Sequence, residues 1–114
     1  MPLLCEGTTM QKYYVASTWD ADADTLRHYL YIRNVLLNPQ AADAYLIDYD
    51  ETRELLSKSA GSLRVGEHPL MKERELRRIN FIRHDYFLVY HIEGDEAEIV
   101  AVGHFDEDLK NVIH

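Results

Sequence analysis

The period of the apolar positions changes midway along the chain, and that change indicates the fold. In residues 18–37, Leu26, Tyr29, Leu30 and Leu37 recur at helical spacing behind Asp20, Asp22 and Asp24. Acids favour the positive end of a helix dipole, so the pattern predicts an amphipathic helix capped by Thr18 or Asp20. Asn38-Pro39 reads as a second N-cap with proline at the first helical position. Ala42, Tyr45, Leu46, Tyr49 and Leu56 then carry an apolar stripe to about Lys58, with Gly61 as a stop. Two helices joined so closely form an antiparallel hairpin.

Outside the hairpin the texture is that of strands. Residues 12–17 (KYYVAS) are aromatic and β-branched and predict a first strand. Residues 60–75, with Gly61, Gly66 and Pro69, show no period and read as a loop. Residues 76–83 mix charge and apolar side chains as a half-exposed strand does; alternation sends Arg77 and Arg83 to one face and Arg78 to the other. Residues 86–92 (YFLVYHI) are nearly all apolar, the mark of an interior strand covered on both faces. Glu93-Gly94-Asp95 is a hairpin turn, residues 98–104 a third strand of this half, and residues 106–113 a short last helix. The order β-α-α-β-β-β(-α) predicts an α+β fold, a two-helix hairpin packed on a small, mainly antiparallel sheet. Residues 1–11 read as a loose N-terminal arm and 12–114 as a single domain.

Charge narrows the function. The chain has a net charge of −8, and its modest basic island lies in residues 61–93, with 6 bases against 5 acids. Phosphate contacts supply most nucleic-acid affinity, so direct binding to free RNA or DNA is not expected. Cys5 is the single cysteine, which excludes an intrachain disulfide and a thiolate metal cluster. No apolar run nears the ~20 residues of a membrane span, and residues 1–11 lack the pattern of a secretory leader, so the expected location is the cytoplasm.

Candidate chemistry is sparse. Eight tyrosines lie mostly at core spacing, where the ring is buried and the hydroxyl reaches the rim. Arg77, Arg78 and Arg83 could hold a phosphate or carboxylate, or serve as strand-edge charges that block aggregation. His104 precedes Asp106, Glu107 and Asp108, and a histidine beside carboxylates can act as a general acid or base. His91, inside the apolar strand, reads as a satisfied core group. Histidines 84, 91 and 104 have no metal-ligand spacing and no phosphate-binding glycine loop occurs, so neither metal nor cofactor is expected.

Residues 76–113 carry further signal: the L-R-R strand opening, R-H-D-Y-F-L-V-Y-H-I, the E-G-D-E turn, and I-V-A-V-G-H-F-D-E-D-L-K-N-V-I. Together with the Asn38-Pro39-Gln40-Ala41-Ala42 helix start and the element order, they resemble the RelE/ParE superfamily of bacterial toxin–antitoxin toxins. RelE-like members cut messenger RNA on the ribosome with cationic side chains; ParE-like members poison DNA gyrase. The resemblance places Phe87, Phe105 and Asn111 where RelE-type members carry two arginines and a tyrosine, and leaves Arg78 at a lysine position. His104 with Asp108 and Leu109 is similar to a ParE-like H-x-x-x-D-L ending. What this implies is a ParE-like toxin of a type II module that binds gyrase and is neutralised by a cognate antitoxin.

If the target is gyrase, the expected contacts are Arg83, His84, His104, Asp108 and Lys110. The antitoxin is expected on Tyr29, Leu37, Tyr45 and Tyr49, in a groove between the helix pair and the sheet edge. Were the chain a ribonuclease, His104 would be the acid–base and Arg77, Arg78 and Arg83 the phosphate contacts. A superfamily member acting only as a binding module is the third alternative, and a homodimer or a higher toxin–antitoxin complex stays open.

Overall fold

The computed structural model describes residues 12–114; the expected N-terminal arm lies outside them. Strand β1 (Tyr14–Ser17) leads into helix α1 (Trp19–Leu30), which widens into a π-helical turn over Tyr31–Val35. Helix α2 (Pro39–Ser59) returns alongside it, and a short α3 (Pro69–Glu73) follows. Strands β2 (Arg77–Asn80), β3 (Tyr86–Glu93) and β4 (Glu96–His104) and a final turn of helix, α4 (Leu109–Val112), complete the chain. The sheet order is β1-β4-β3-β2, antiparallel except that β1 joins β4 in parallel. The α+β architecture is the expected one.

Local signals set the element boundaries. The Thr18 hydroxyl accepts from the Ala21 amide and the Asn38 side chain from the Ala41 amide, with Pro39 opening α2. Gly94 takes a positive φ of 63° in the two-residue turn between Glu93 and Glu96, a conformation other residues adopt only with strain. The segment expected to be a loop instead contains α3, with Pro69 at its start and the His68 ring accepting from the Leu70 amide. Strand β2 ends at Asn80, so Arg83 belongs to the β2–β3 loop and shares no strand face with Arg77.

Strand β3 is interior, paired with β2 on one side and β4 on the other. One face of the sheet (Ile79, Leu88, Tyr90, Ile99 and Val102) packs on the hairpin through Tyr45, Tyr49 and Leu56. The opposite face (Phe87, Val89, Val100 and Ala101) is covered by Met71 of α3 and Val112 of α4. A register shift at Val89/Tyr90 inserts Val100 as an extra residue, and the bulge brings Val100 and Ala101 into one cluster. His91 is not a core group: it is half-exposed and bonds Glu98 of β4 at 2.8 Å.

Helix α1 buries a different face from the one its leucines predict. Leu26, Leu30 and Leu37 are exposed, whereas Ala21, Asp24, His28 and Ile32 point inward. The cause is the short β1, which ends opposite Ile99 and leaves the following β4 amides without a strand partner. Asp24 supplies an acceptor there, its Oδ2 taking the Val102 amide at 3.1 Å. A buried amide without a partner costs about as much as a lost hydrogen bond, so the carboxylate fixes the helix's rotation.

Candidate target-binding rim and partner groove

At one end of the sheet, a buried carboxylate on α2 organises the β2–β3 loop. Asp48 is 1% exposed, and its two oxygens accept from the amides of Ile82 (3.1 Å), Arg83 (3.0 Å) and His84 (2.8 Å). The same group bonds His84 Nδ1 at 2.6 Å. Burial alone would raise the Asp48 carboxyl. The His84 side chain and the two backbone donors outweigh burial and hold it below its ordinary value. The loop therefore presents Arg83, paired with Glu51, and half-buried His84 in fixed positions.

The end of β4 lies alongside. The Phe105 amide donates to the Asp85 carbonyl at 2.9 Å, tying the two connections together. His104 donates its amide to Glu107 Oε1 at 2.9 Å, and its Nδ1 accepts from the Asp106 amide at 3.1 Å. Its ring sits edge-on against Tyr86, centroids 4.8 Å apart. Arg83, His84 and His104 thus share one rim. Asp108 and Lys110 lie around the corner with His68 and Leu70, in a concavity of about 660 Å³.

The arginines expected together in a ribonuclease are dispersed. Arg77 Nη1 donates to the carbonyls of Ala60, Gly61 and Leu63, the last at 2.8 Å, closing the end of α2. Arg78, on the other face, lays its guanidinium 3.8 Å over the Phe87 ring and 5.2 Å from Phe105, with its Nε donating to Asn80. Burial lowers its pKa. Arg83 is held by Glu51. His104 has none of these three cations as a hydrogen-bond or ion-pair partner.

The expected antitoxin residues also separate. Tyr29 and Tyr49, with Asp22, Thr25, Leu26 and Leu46, line a largely apolar groove of about 440 Å³ between α1 and α2. Arg33 and Arg53 donate to the two phenol oxygens, each at 3.0 Å, and so orient the rings. Tyr45 is fully buried against His28 and offers no surface to a partner. Leu37, at a positive φ of 54°, is 79% exposed at the tip of the hairpin, outside the groove.

Sequence reasoning passed over His28 and Asp48, and it read Asp24 only as a helix-dipole acid and Glu107 only as a carboxylate following His104. The available signal was register: Asp24 and His28 follow Ala21 at helical spacing, and Asp48 follows Tyr45 by three. A polar residue in phase with a core stripe marks a buried hydrogen-bond centre. Among the described residues no three His, Cys, Asp or Glu side chains are grouped to hold a metal, and no helix is long and apolar enough to cross a membrane.

A helix hairpin on a β1-β4-β3-β2 sheet is the fold of the RelE/ParE toxin superfamily. Residues 15–109 match the family described as the ParE toxin of the type II toxin–antitoxin system parDE, and the chain belongs to that family. A solved chromosomal ParDE toxin–antitoxin system from P. aeruginosa superposes with a TM-score of 0.68 at 22% identity, over 83% of this chain and 98% of that one. No curated protein matches the sequence.

Proposed function

We propose that this ParE-family toxin acts by docking on DNA gyrase through the rim of Arg83, His84 and His104, flanked by Asp108 and Lys110, and cuts no RNA itself. The observation that carries this reading is the dispersal of Arg77, Arg78 and Arg83. Phosphoryl transfer is catalysed mainly by cations positioned on the developing charge, and removing one such contact costs about 3–4 kcal/mol. Here Arg77 closes a helix, Arg78 stacks on Phe87 and Arg83 pairs with Glu51, which leaves His104 without a clamp. A rigid rim of mixed charge suits recognition of a folded protein.

The antitoxin occupies the α1–α2 groove, where an amphipathic segment can lay apolar side chains against Leu26, Tyr29 and Leu46. Two assays on one preparation test the mechanism. The expected result is inhibited supercoiling or trapped gyrase–DNA cleavage complexes, with ribosome-bound messenger RNA intact. RNA cleavage that disappears in His104→Ala would overturn the reading in favour of a ribonuclease.

A further inference from the structure

Two concavities meet at Arg53. Tyr49 lines the apolar groove between α1 and α2, and its phenol accepts from Arg53 Nη1 at 3.0 Å. Arg53 itself lines a smaller, more polar hollow of about 330 Å³, with Lys12, Asp50, Glu54 and Ser57 around it. Its Nη2 donates to the Val15 carbonyl at 3.2 Å, and among the described residues no carboxylate pairs with it.

Lys12 is where residues 1–11 join the described domain. The Tyr13 amide donates to the Ser57 carbonyl at 2.7 Å, while Val15 lies against Arg53. Strand β1 therefore runs antiparallel to α2, and the arm joins at the end of α2 farther from the groove. To reach the groove it has to fold back along the polar hollow. From Ser57, α2 rises ~6 Å to Arg53 and a further ~10 Å to Leu46. An extended arm of this length reaches ~36 Å, which covers that path and leaves several residues for the reversal.

The arm's sequence fits this path in order. Gly7-Thr8-Thr9-Met10-Gln11, nearest the domain, is mostly polar and holds a glycine suited to a turn. Glu6 is the arm's only charged side chain, and Pro2-Leu3-Leu4 is apolar. With Glu6 opposite Arg53, an extended chain carries Leu3 ~10 Å further, level with Leu46. In the groove, Leu26 is exposed and Leu46 half-buried, so two leucines there remove apolar surface from water on both sides. We propose that in the antitoxin-free chain residues 2–6 occupy the α1–α2 groove of the same molecule, with Leu3 and Leu4 against Leu26 and Leu46 and Glu6 on Arg53. The contact is intramolecular, so even a short segment competes with an antitoxin that has to displace it. That competition rests on the antitoxin's use of the same groove; the arm's position does not.

Cys5 is the single cysteine, so a nitroxide on its thiol reports the arm's position in the full chain. The expected result is strong paramagnetic broadening of the Leu26 and Leu46 methyls. Val100 and Val112, on the opposite face of the sheet, should be spared. The broadening should vanish when nitroxide and observed methyls sit on different copies. Leu3→Glu/Leu4→Glu leaves residues 12–114 untouched and should reduce it about fivefold or more. Glu6→Arg should reduce it about twofold or more. Equal broadening on both faces, broadening between copies, or indifference to either variant overturns the proposal. Added antitoxin should abolish the broadening, and the double variant should bind antitoxin about threefold or more tighter. Unchanged affinity overturns the competition. Antitoxin that binds while the broadening persists leaves the arm in place and removes the antitoxin from the groove, so the two readings fail separately.

Discussion

Asp48 Oδ2 lies 2.6 Å from His84 Nδ1 and simultaneously accepts the His84 and Arg83 amides, so one carboxylate on α2 holds the loop that carries the rim. Removing it leaves several part-buried donors without their acceptor at once. Asp48→Ala should destabilise the fold by about 3–5 kcal/mol in urea unfolding. A loss below about 1 kcal/mol would show that the loop holds itself.

Acid should weaken the protein in two stages. Burial, followed by the neighbouring Arg27, lowers the His28 pKa against the opposing pull of Glu107 and Asp24. A histidine with a depressed folded pKa binds its proton more readily when unfolded, so stability falls as pH drops below about 6.5. The Asp48 carboxyl is held below its ordinary value, so its contribution is present above the unfolded pKa and is lost as pH falls through the folded one. Chemical denaturation from pH 8 to 3 should show both declines. His28→Gln should flatten the first and leave the second, and an unchanged upper slope would remove His28 from the account.

Arg78 and Arg83 should separate stability from activity. Arg78→Ala loses a guanidinium stacked 3.8 Å over Phe87 and should cost about 1–2 kcal/mol with gyrase inhibition retained. Arg83 is exposed at the rim, so Arg83→Ala should leave the unfolding midpoint in place and lower gyrase inhibition at least tenfold. The reverse pattern would place the target contact on the Arg78 face.

The groove prediction concerns Leu26, which is 56% exposed and lines the space between α1 and α2. Leu26→Glu should change stability by less than about 0.5 kcal/mol, as exposed substitutions usually do. Its effect should fall on the antitoxin, with affinity reduced tenfold or more by calorimetry. Unaltered affinity would move the antitoxin elsewhere.

Gly103 tests the packing of α4. A Cβ there would lie 2.7 Å from the Phe87 ring and 2.8 Å from both Val112 methyls. Gly103→Ala should therefore cost about 1–3 kcal/mol by overpacking. Val112→Ala on the same background should recover part of the loss, and an additive second loss would count against this contact.

Elements whose signals lie within a few residues were legible in the sequence. The Thr18 and Asn38 caps, Pro39, the Gly94 turn and the doubly apolar β3 all follow from local backbone rules. The family resemblance also rested on such runs, and the match over residues 15–109 covers them. Only tertiary structure decided which face of α1 is buried, since Asp24 and His28 are held inside by Val102 and Tyr45, 78 and 17 residues away. Periodicity registers apolar surface, and Leu26 and Leu30 offered more of it than the face that won. It cannot register a sheet amide left unpaired by a short parallel strand, nor a loop whose donors converge on Asp48. The rim and the burial of His28 arise from such long-range hydrogen-bond demands, which exist only once the chain has folded.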